Sequence, residues 1–200
     1  ADTLRDTIDA ANYKDYVLPV MFVKYLSDSY TDAVEELSKQ YSGIRLERQK
    51  KYLPFMVAEG CLFYDLYQQR FADNIGQLMN AAMRQIEADN NQQLAGVLSA
   101  VDYNSENALG TREHKNAILR DLLEDFEPLD LRPSAIEVKE GQVPADVIGD
   151  AYEYMIGQFA SMAGKKAGSF YTPAAVSEIM ARIVDVQPGD CLLYTSDAAD

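Results

Sequence analysis

The sequence predicts a mainly α fold, and its pattern and composition both support that prediction. Apolar residues recur every three or four positions over most of the chain, which is the spacing of one helix face. No comparable stretch of the first 126 residues alternates between apolar and polar positions as a half-buried strand does. With 48% hydrophobic and 25% charged residues, the composition excludes collagen-like, disulfide-scaffold and wholly disordered chains.

The first candidate helices lie close to the N-terminus. A short helix would place Leu4, Ile8 and Ala11 on one face. Residues 16–26 are apolar on nearly every side, which favours a helix that is buried on most sides. Pro19 either serves in the first turn of that helix or kinks it.

Two amphipathic stripes follow, and each predicts a helix that packs on a core. Their apolar positions are Ile75, Leu78, Met79, Ala82, Met83 and Ile86 in the first, and Ile118, Leu119, Leu122, Leu123 and Phe126 in the second.

Residues 127–145 contain three prolines and Gly141, so we predict an extended connection between two units. A further helical face then begins at Val147 and reaches Phe159.

The segment 164–173 combines a glycine-bounded loop, two aromatic residues and a strong helix-start signal. Thr172 suits the N-cap and Pro173 the first helical position, and apolar positions continue to Val184. Residues 187–190 would end that helix and lead into a short strand at 191–194. A helix N-terminus attracts a carboxylate or phosphate, and a preceding aromatic ring can lie against a cationic group. S-adenosylmethionine would use both features, although a capped helix behind a core aromatic explains the same residues.

The chain carries 18 basic and 32 acidic residues, a net charge of −14. A negative chain is repelled by the phosphates of DNA, so this charge disfavours DNA binding by the chain alone. We expect any nucleic-acid function to depend on a partner. The basic cluster consists of Arg45, Arg48, Lys50 and Lys51, and we predict that it is a solvated loop before a helix.

Several other chemistries find little support. His114 is the one histidine, and we expect it on the surface near a helix start. Glu124, Asp125 and Glu127 flank apolar positions and are expected to face solvent. Cys61 and Cys191 are too far apart in sequence to specify a zinc site or a disulfide framework.

Neither membrane insertion nor secretion is indicated. The longest apolar run, residues 16–23, has eight residues, whereas a membrane-spanning helix needs roughly 20. The acidic first residues do not resemble a signal peptide, so the cytoplasm is the expected compartment.

Several short segments occur in a characteristic order over about 190 residues. They are Leu4-Arg-Asp, Tyr13-Lys-Asp-Tyr-Val-Leu, Phe22-Val-Lys-Tyr-Leu-Ser-Asp28, Phe63-Tyr-Asp-Leu, Asp73-Asn-Ile-Gly76, Leu122-Leu-Glu-Asp-Phe126, Asp146-Val-Ile-Gly-Asp-Ala-Tyr-Glu-Tyr154 and Gly168-Ser-Phe-Tyr-Thr-Pro173. Their order and spacing resemble the modification (M) subunit of type I restriction–modification systems. The last segment resembles the F-x-T-P element of that family.

The resemblance implies a DNA adenine-N6 methyltransferase that uses S-adenosyl-L-methionine. It implies a specificity subunit that reads the DNA target, a restriction subunit that completes the nuclease, and double-stranded DNA bound through the complex. It also implies that the target base is flipped into the active site. By position, the cofactor-binding residues would be Ser169, Phe170, Tyr171, Thr172, Pro173 and Ala174.

The resemblance divides the chain into a helical N-terminal domain, residues 1–140, and the truncated start of a Rossmann-like α/β methyltransferase domain, residues 141–190. We expect residues 191–200 to be a non-native tail, because no glycine follows Gly189 where the family has D-P-x-x-G-S-G. The catalytic N-P-P-[YF] motif does not occur in these 200 residues. We therefore predict no methyl transfer by this polypeptide alone, and incomplete burial of the helix after Pro173.

Two other interpretations remain open. The chain would be a non-catalytic helical docking module for a specificity subunit if the reading frame stops after these residues. It would be an unrelated helical protein if the F-Y-T-P match arose by chance, which the earlier segments disfavour.

Overall fold

The computed structural model describes residues 10–138, 140–141, 143–162, 172 and 174–185. Helices account for all the regular structure of these residues, and no strand occurs among them, which confirms the mainly α prediction. The helices are α1 (Ala10–Gln40), α2 (Gly43–Lys50), α3 (Phe63–Gln68), α4 (Ile75–Asp89), α5 (Asn91–Leu94), α6 (Glu106–Leu109), α7 (Arg112–Phe126), α8 (Pro144–Met162) and α9 (Ala174–Val184).

The long helix α1 is the centre of the fold and contacts α2, α3, α7 and α8. Val17, Val20 and Leu26 are buried within it, as the apolar run predicts. Pro19 lies in the interior of α1 and not in its first turn, because α1 already begins at Ala10. The expected face of the first helix depends on Leu4 and Ile8, which lie outside the described residues.

Helices α4 and α7 supply most of the remaining core, and both amphipathic predictions are confirmed. Every residue of the α7 stripe is buried, and the α4 stripe is buried except for the partly exposed Leu78. The two helices contact each other, and α3 packs against both. The Phe63 side chain of α3 is fully buried in the same core.

Two buried polar side chains at the end of α4 hold the neighbouring irregular segments. The Glu87 carboxylate accepts the N–H groups of Leu98 and Ser99 at 2.5 and 2.7 Å. The Asn90 amide accepts the Met56 N–H at 2.8 Å and donates to the Met56 carbonyl at 2.7 Å. These bonds satisfy backbone groups that have no helix or sheet to pair with.

The described part of residues 127–143 is not helical, as predicted, whereas Pro144 and Ala145, which the prediction placed in the connection, belong to α8. Helix α8 begins at Pro144, and Met155 and Ile156 pack against the core. The division of the chain at residue 140 stays a prediction. The helix that it assigns to the second domain packs along α1.

The prediction for the basic cluster is wrong in one respect. Arg45, Arg48 and Lys50 belong to helix α2, and Lys51 is its C-cap residue, so the cluster is not a loop. Charge outweighs hydrophobicity in this segment, which hides the helix from a periodicity argument. The expected solvation is observed for Arg45, Arg48 and Lys51.

Among the described residues, no helix combines the length and apolar character that crossing a membrane requires.

Candidate functional site

The loop-to-helix junction before α9 is the candidate cofactor site. Helix α9 begins at Ala174, one residue after the predicted start, and Thr172, two residues before it, is exposed. The other predicted site residues lie outside the described residues, namely Ser169, Phe170, Tyr171 and Pro173. The cofactor assignment of all six residues therefore stays a prediction.

Helix α9 presents an apolar surface to solvent. Ile179 and Met180 are each 57% exposed, and Ile183 is 78% exposed. An exposed apolar surface of this kind is suited to packing against another element or protein. The incomplete burial expected from the sequence is therefore observed along α9. The predicted turn and strand beyond it, residues 187–194, lie outside the described residues.

An apolar groove of about 780 Å³ lies between α1, residues 97–101 and α8. Phe22 and Tyr25 of α1 face Ile148 and Tyr152 of α8 across it. The described residues that line the groove include one carboxylate, Asp15, and no cation. This lining suits an apolar group of a ligand or partner better than acid–base chemistry.

A buried polar network at the middle of α1 was missed by the sequence analysis. The Lys24 ammonium is fully buried, pairs with the Asp28 carboxylate at 2.7 Å and donates to the Tyr64 hydroxyl at 2.6 Å. It also lies 4.5 Å from the centre of the Tyr64 ring. One turn away, the Ser27 hydroxyl accepts the Phe63 N–H at 2.8 Å. The only feature of the sequence that could have indicated this network was the presence of Lys24, Ser27 and Asp28 within or directly after an otherwise apolar segment.

This network is structural, because the buried charges of Lys24 and Asp28 neutralise each other within the chain. The Lys24 ammonium donates to both Asp28 oxygens and to the Tyr64 hydroxyl, so its three hydrogen-bond donors are all used. A buried pair of this kind orients the elements that contribute to it. Here it fixes α3 against α1.

The remaining candidates lie where the sequence analysis expects them. His114 is exposed in the first turn of α7. Glu124 and Asp125 are exposed, and Glu124 pairs with Arg70 at 2.9 Å, whereas Glu127, at the C-cap of α7, is only partly exposed. Cys61 is a half-buried free thiol whose pKa is raised by burial, which makes it a poor nucleophile. Within the described part of the chain, no group of three or more acidic, histidine or cysteine side chains is placed to hold a metal ion.

These observations define a helical chain in which α8 packs along the long helix α1. Two family models match successive parts of the chain. The model described as HsdM N-terminal domain matches residues 1–126, and the model described as N-6 DNA Methylase matches residues 143–195. The chain belongs to the HsdM N-terminal domain family, because that model covers more than half of it.

The chain is similar to methylase subunits of type I restriction enzymes. It is 28% identical to the MpnII methylase subunit of Mycoplasma pneumoniae, over 92% of this chain and 37% of that protein. It is 25% identical to the MjaIX methylase subunit of Methanocaldococcus jannaschii, over 94% of this chain and 34% of that protein. The chain therefore spans about a third of the length of these curated relatives.

A solved structure shares the fold. The type I restriction–modification methyltransferase subunit from Streptococcus thermophilus matches with a TM-score of 0.65 and 28% identity, over 95% of this chain and 43% of that one. The family resemblance predicted from the short segments is confirmed by this match and by the family models.

Proposed function

We propose that the protein is the modification subunit of a type I restriction–modification enzyme. It transfers a methyl group from S-adenosyl-L-methionine to N6 of adenine in duplex DNA. A specificity subunit reads the target, a restriction subunit completes the nuclease, and the assembly works in the cytoplasm. The observation that carries this proposal is the N-6 DNA Methylase match over residues 143–195, directly behind the HsdM N-terminal match.

The junction before α9 supports a role in binding the cofactor. Thr172 is exposed two residues before the first residue of the 11-residue helix α9. Unpaired N–H groups and the helix dipole at such an end favour the carboxylate of a bound amino-acid moiety. Thr172 and the start of α9 are compatible with this part of S-adenosylmethionine.

The proposed roles follow from side-chain chemistry. Phe170 and Tyr171 would lie against the sulfonium and the adenine, while Ser169, Thr172 and the backbone of Ala174 would hold the carboxylate. Pro173 would set the direction of the helix. S-adenosylmethionine supplies an electrophilic methyl group, and these residues orient it.

The negative net charge of the chain is consistent with DNA binding that is shared between two subunits. With a net charge of −14, the subunit relies on the specificity subunit for much of the affinity for DNA. The target adenine has to leave the base stack before its N6 can be reached.

Tritium transfer tests the activity. The full-length protein, purified with its specificity subunit, is expected to move label from tritiated S-adenosylmethionine to adenine N6 in duplex DNA. Phe170→Ala is expected to weaken cofactor binding about five- to thirtyfold, since an aromatic contact to a cation contributes about 1–2 kcal/mol. Phe71→Ala is the matched control, because Phe71 is 68% exposed on a different segment. Equal cofactor binding by both variants would refute the site, and absence of label on adenine would refute the activity.

The docking-module interpretation is the alternative, and the apolar groove between α1 and α8 favours it. Apolar side chains of a specificity subunit would enter that groove without any need for a cofactor. The reading frame discriminates between the two. A frame that runs on through D-P-x-x-G-S-G and N-P-P-[YF] supports the enzyme, whereas a frame that stops near residue 190 supports the docking module. Label transferred by the purified 200-residue chain alone would contradict the predicted inactivity of this polypeptide.

A further inference from the structure

Helix α2 gathers three exposed cations on one face. Arg45, Arg48 and Lys51 follow each other at intervals of three residues, so they are neighbours along the helix surface. All three are exposed, whereas Lys50 is turned to another side and pairs with Glu47 at 2.7 Å. We name Arg45, Arg48 and Lys51 the cationic face of α2.

The charges of this face are not neutralised by the protein. Within the part of the chain that the structure describes, no carboxylate forms an ion pair with Arg45, Arg48 or Lys51. Two apolar or aromatic side chains flank them and are also left in solvent, with Ile44 77% exposed and Tyr52 82% exposed. Among the described residues, these three cations therefore have no ion-pair partner, although the chain has a net charge of −14.

The geometry of the face suits the backbone of a nucleic acid. A rise of 1.5 Å per residue spreads the three charges over about 9 Å along the helix. That distance covers two or three phosphates at about 3.4 Å of duplex axis per strand. Arginine binds phosphate oxygens with two parallel hydrogen bonds, and a tyrosine hydroxyl beside it can donate to the same backbone.

We propose that the cationic face of α2 binds the phosphate backbone of duplex DNA in the assembled enzyme. This inference rests on the proposed function, because it names the surface with which the helical domain would contact the substrate. Phosphate contacts carry no sequence information, so the face contributes affinity and orientation and leaves target choice to the specificity subunit.

The test is the salt dependence of DNA binding by the assembly of the full-length protein with its specificity subunit. Binding of a fluorescein-labelled duplex of mixed sequence is followed by anisotropy between about 50 and 200 mM salt. Arg45→Gln/Arg48→Gln is expected to make the slope of log K against log salt shallower by about 2. Arg84→Gln/Arg112→Gln removes the same charge from exposed positions on α4 and α7 and is expected to keep the wild-type slope.

The variant Arg45→Lys/Arg48→Lys is a control for effects of substitution other than the loss of charge. It keeps both charges and is expected to keep the slope, so a slope that changes only in the glutamine variant supports the proposal. A glutamine variant with the wild-type slope overturns it. A glutamine variant that no longer assembles with the specificity subunit also overturns it, and assigns the face to a protein contact. If the wild-type assembly binds no DNA and labels no adenine, the proposed function itself fails.

Discussion

The Asp28 carboxylate accepts a hydrogen bond of 2.8 Å from the backbone N–H of Leu131, a residue 103 positions further along the chain. One turn later on α1, Asp32 accepts the N–H and the hydroxyl of Ser134, at 3.0 and 2.6 Å. Two carboxylates of one helix therefore hold the connection that leads from α7 to α8. Helix α1 therefore positions the start of α8 in two ways. It holds the connection that precedes α8, and it packs directly against α8.

Removal of the outer of these two contacts is expected to loosen the connection locally. Asp32→Ala should speed hydrogen exchange of the Ser134 amide about fivefold, since the lost bonds contribute about 1 kcal/mol at an exposed site. Exchange measured by mass spectrometry or NMR would show this. Glu35→Ala removes a nearby carboxylate of α1 that makes no such contact, and should leave the amide unchanged. Equal exchange in both variants would contradict the proposed tether.

The buried pair of Lys24 and Asp28 makes a sharper prediction. Asp28→Ala leaves the Lys24 ammonium buried without its counter-charge, and is expected to lower the free energy of unfolding by about 3–5 kcal/mol. Lys24→Met/Asp28→Leu removes both charges and should cost less than that single substitution. Urea denaturation of the three proteins measures the difference. A double variant less stable than Asp28→Ala would show that the charges themselves stabilise the fold.

The exposed ion pair between Asp130 and Arg132 is the control for the buried pair of Lys24 and Asp28. Arg132 donates to the Asp130 carboxylate and lowers the pKa of Asp130 to about 2. Both side chains are more than 40% exposed, so water screens the pair. Arg132→Gln should change the free energy of unfolding by less than about 1 kcal/mol.

A glycine of α4 is required by close packing. A Cβ atom at Gly76 would lie 2.4 Å from the backbone oxygen of Tyr103 and 3.2 Å from the Cα of Asn104. Because these are backbone atoms, Gly76→Ala is expected to cost about 1–3 kcal/mol of stability. Gly149→Ala in α8 meets nothing within 4 Å and should instead stabilise by about 0.5–1 kcal/mol. Thermal or urea unfolding measures the change in the free energy of unfolding for each variant. Changes of the same sign in both variants would refute the packing argument.

The Glu87 carboxyl is expected to make stability depend on pH. Burial alone raises its pKa, but the hydrogen bonds from Ser99 and Leu98 outweigh burial, and the pKa lies below its usual value of 4.5. A carboxyl with a lowered pKa in the folded state stabilises above that usual value and loses its contribution as the pH falls further.

Glu87→Gln should therefore show a flatter decline of unfolding free energy below about pH 4.5 than the parent chain. Urea titrations at a series of pH values measure it. Glu106→Gln, at an exposed position, is the control and should follow the parent. A variant that declines as steeply as the parent would contradict the stabilising role of the Glu87 bonds.

Much of the helical domain could be predicted, because the signal is local. Leu119, Leu122 and Leu123 repeat at helical spacing, and they are buried as that spacing requires. The incomplete burial of α9 was also expected from the sequence. Helix α2 was not, since it has no buried residue and its sequence is dominated by charge.

The sequence by itself determined the helical class, the order of the main helices and the family, because periodicity and short ordered segments are properties of neighbouring residues. Only the tertiary structure decided that Lys24 is buried, since its burial depends on Tyr64 from another helix. It also decided that α8 packs on α1 and that Asp28 and Asp32 hold the connection. These contacts join residues far apart in the chain, and which helix faces meet is set by the packing of the whole domain.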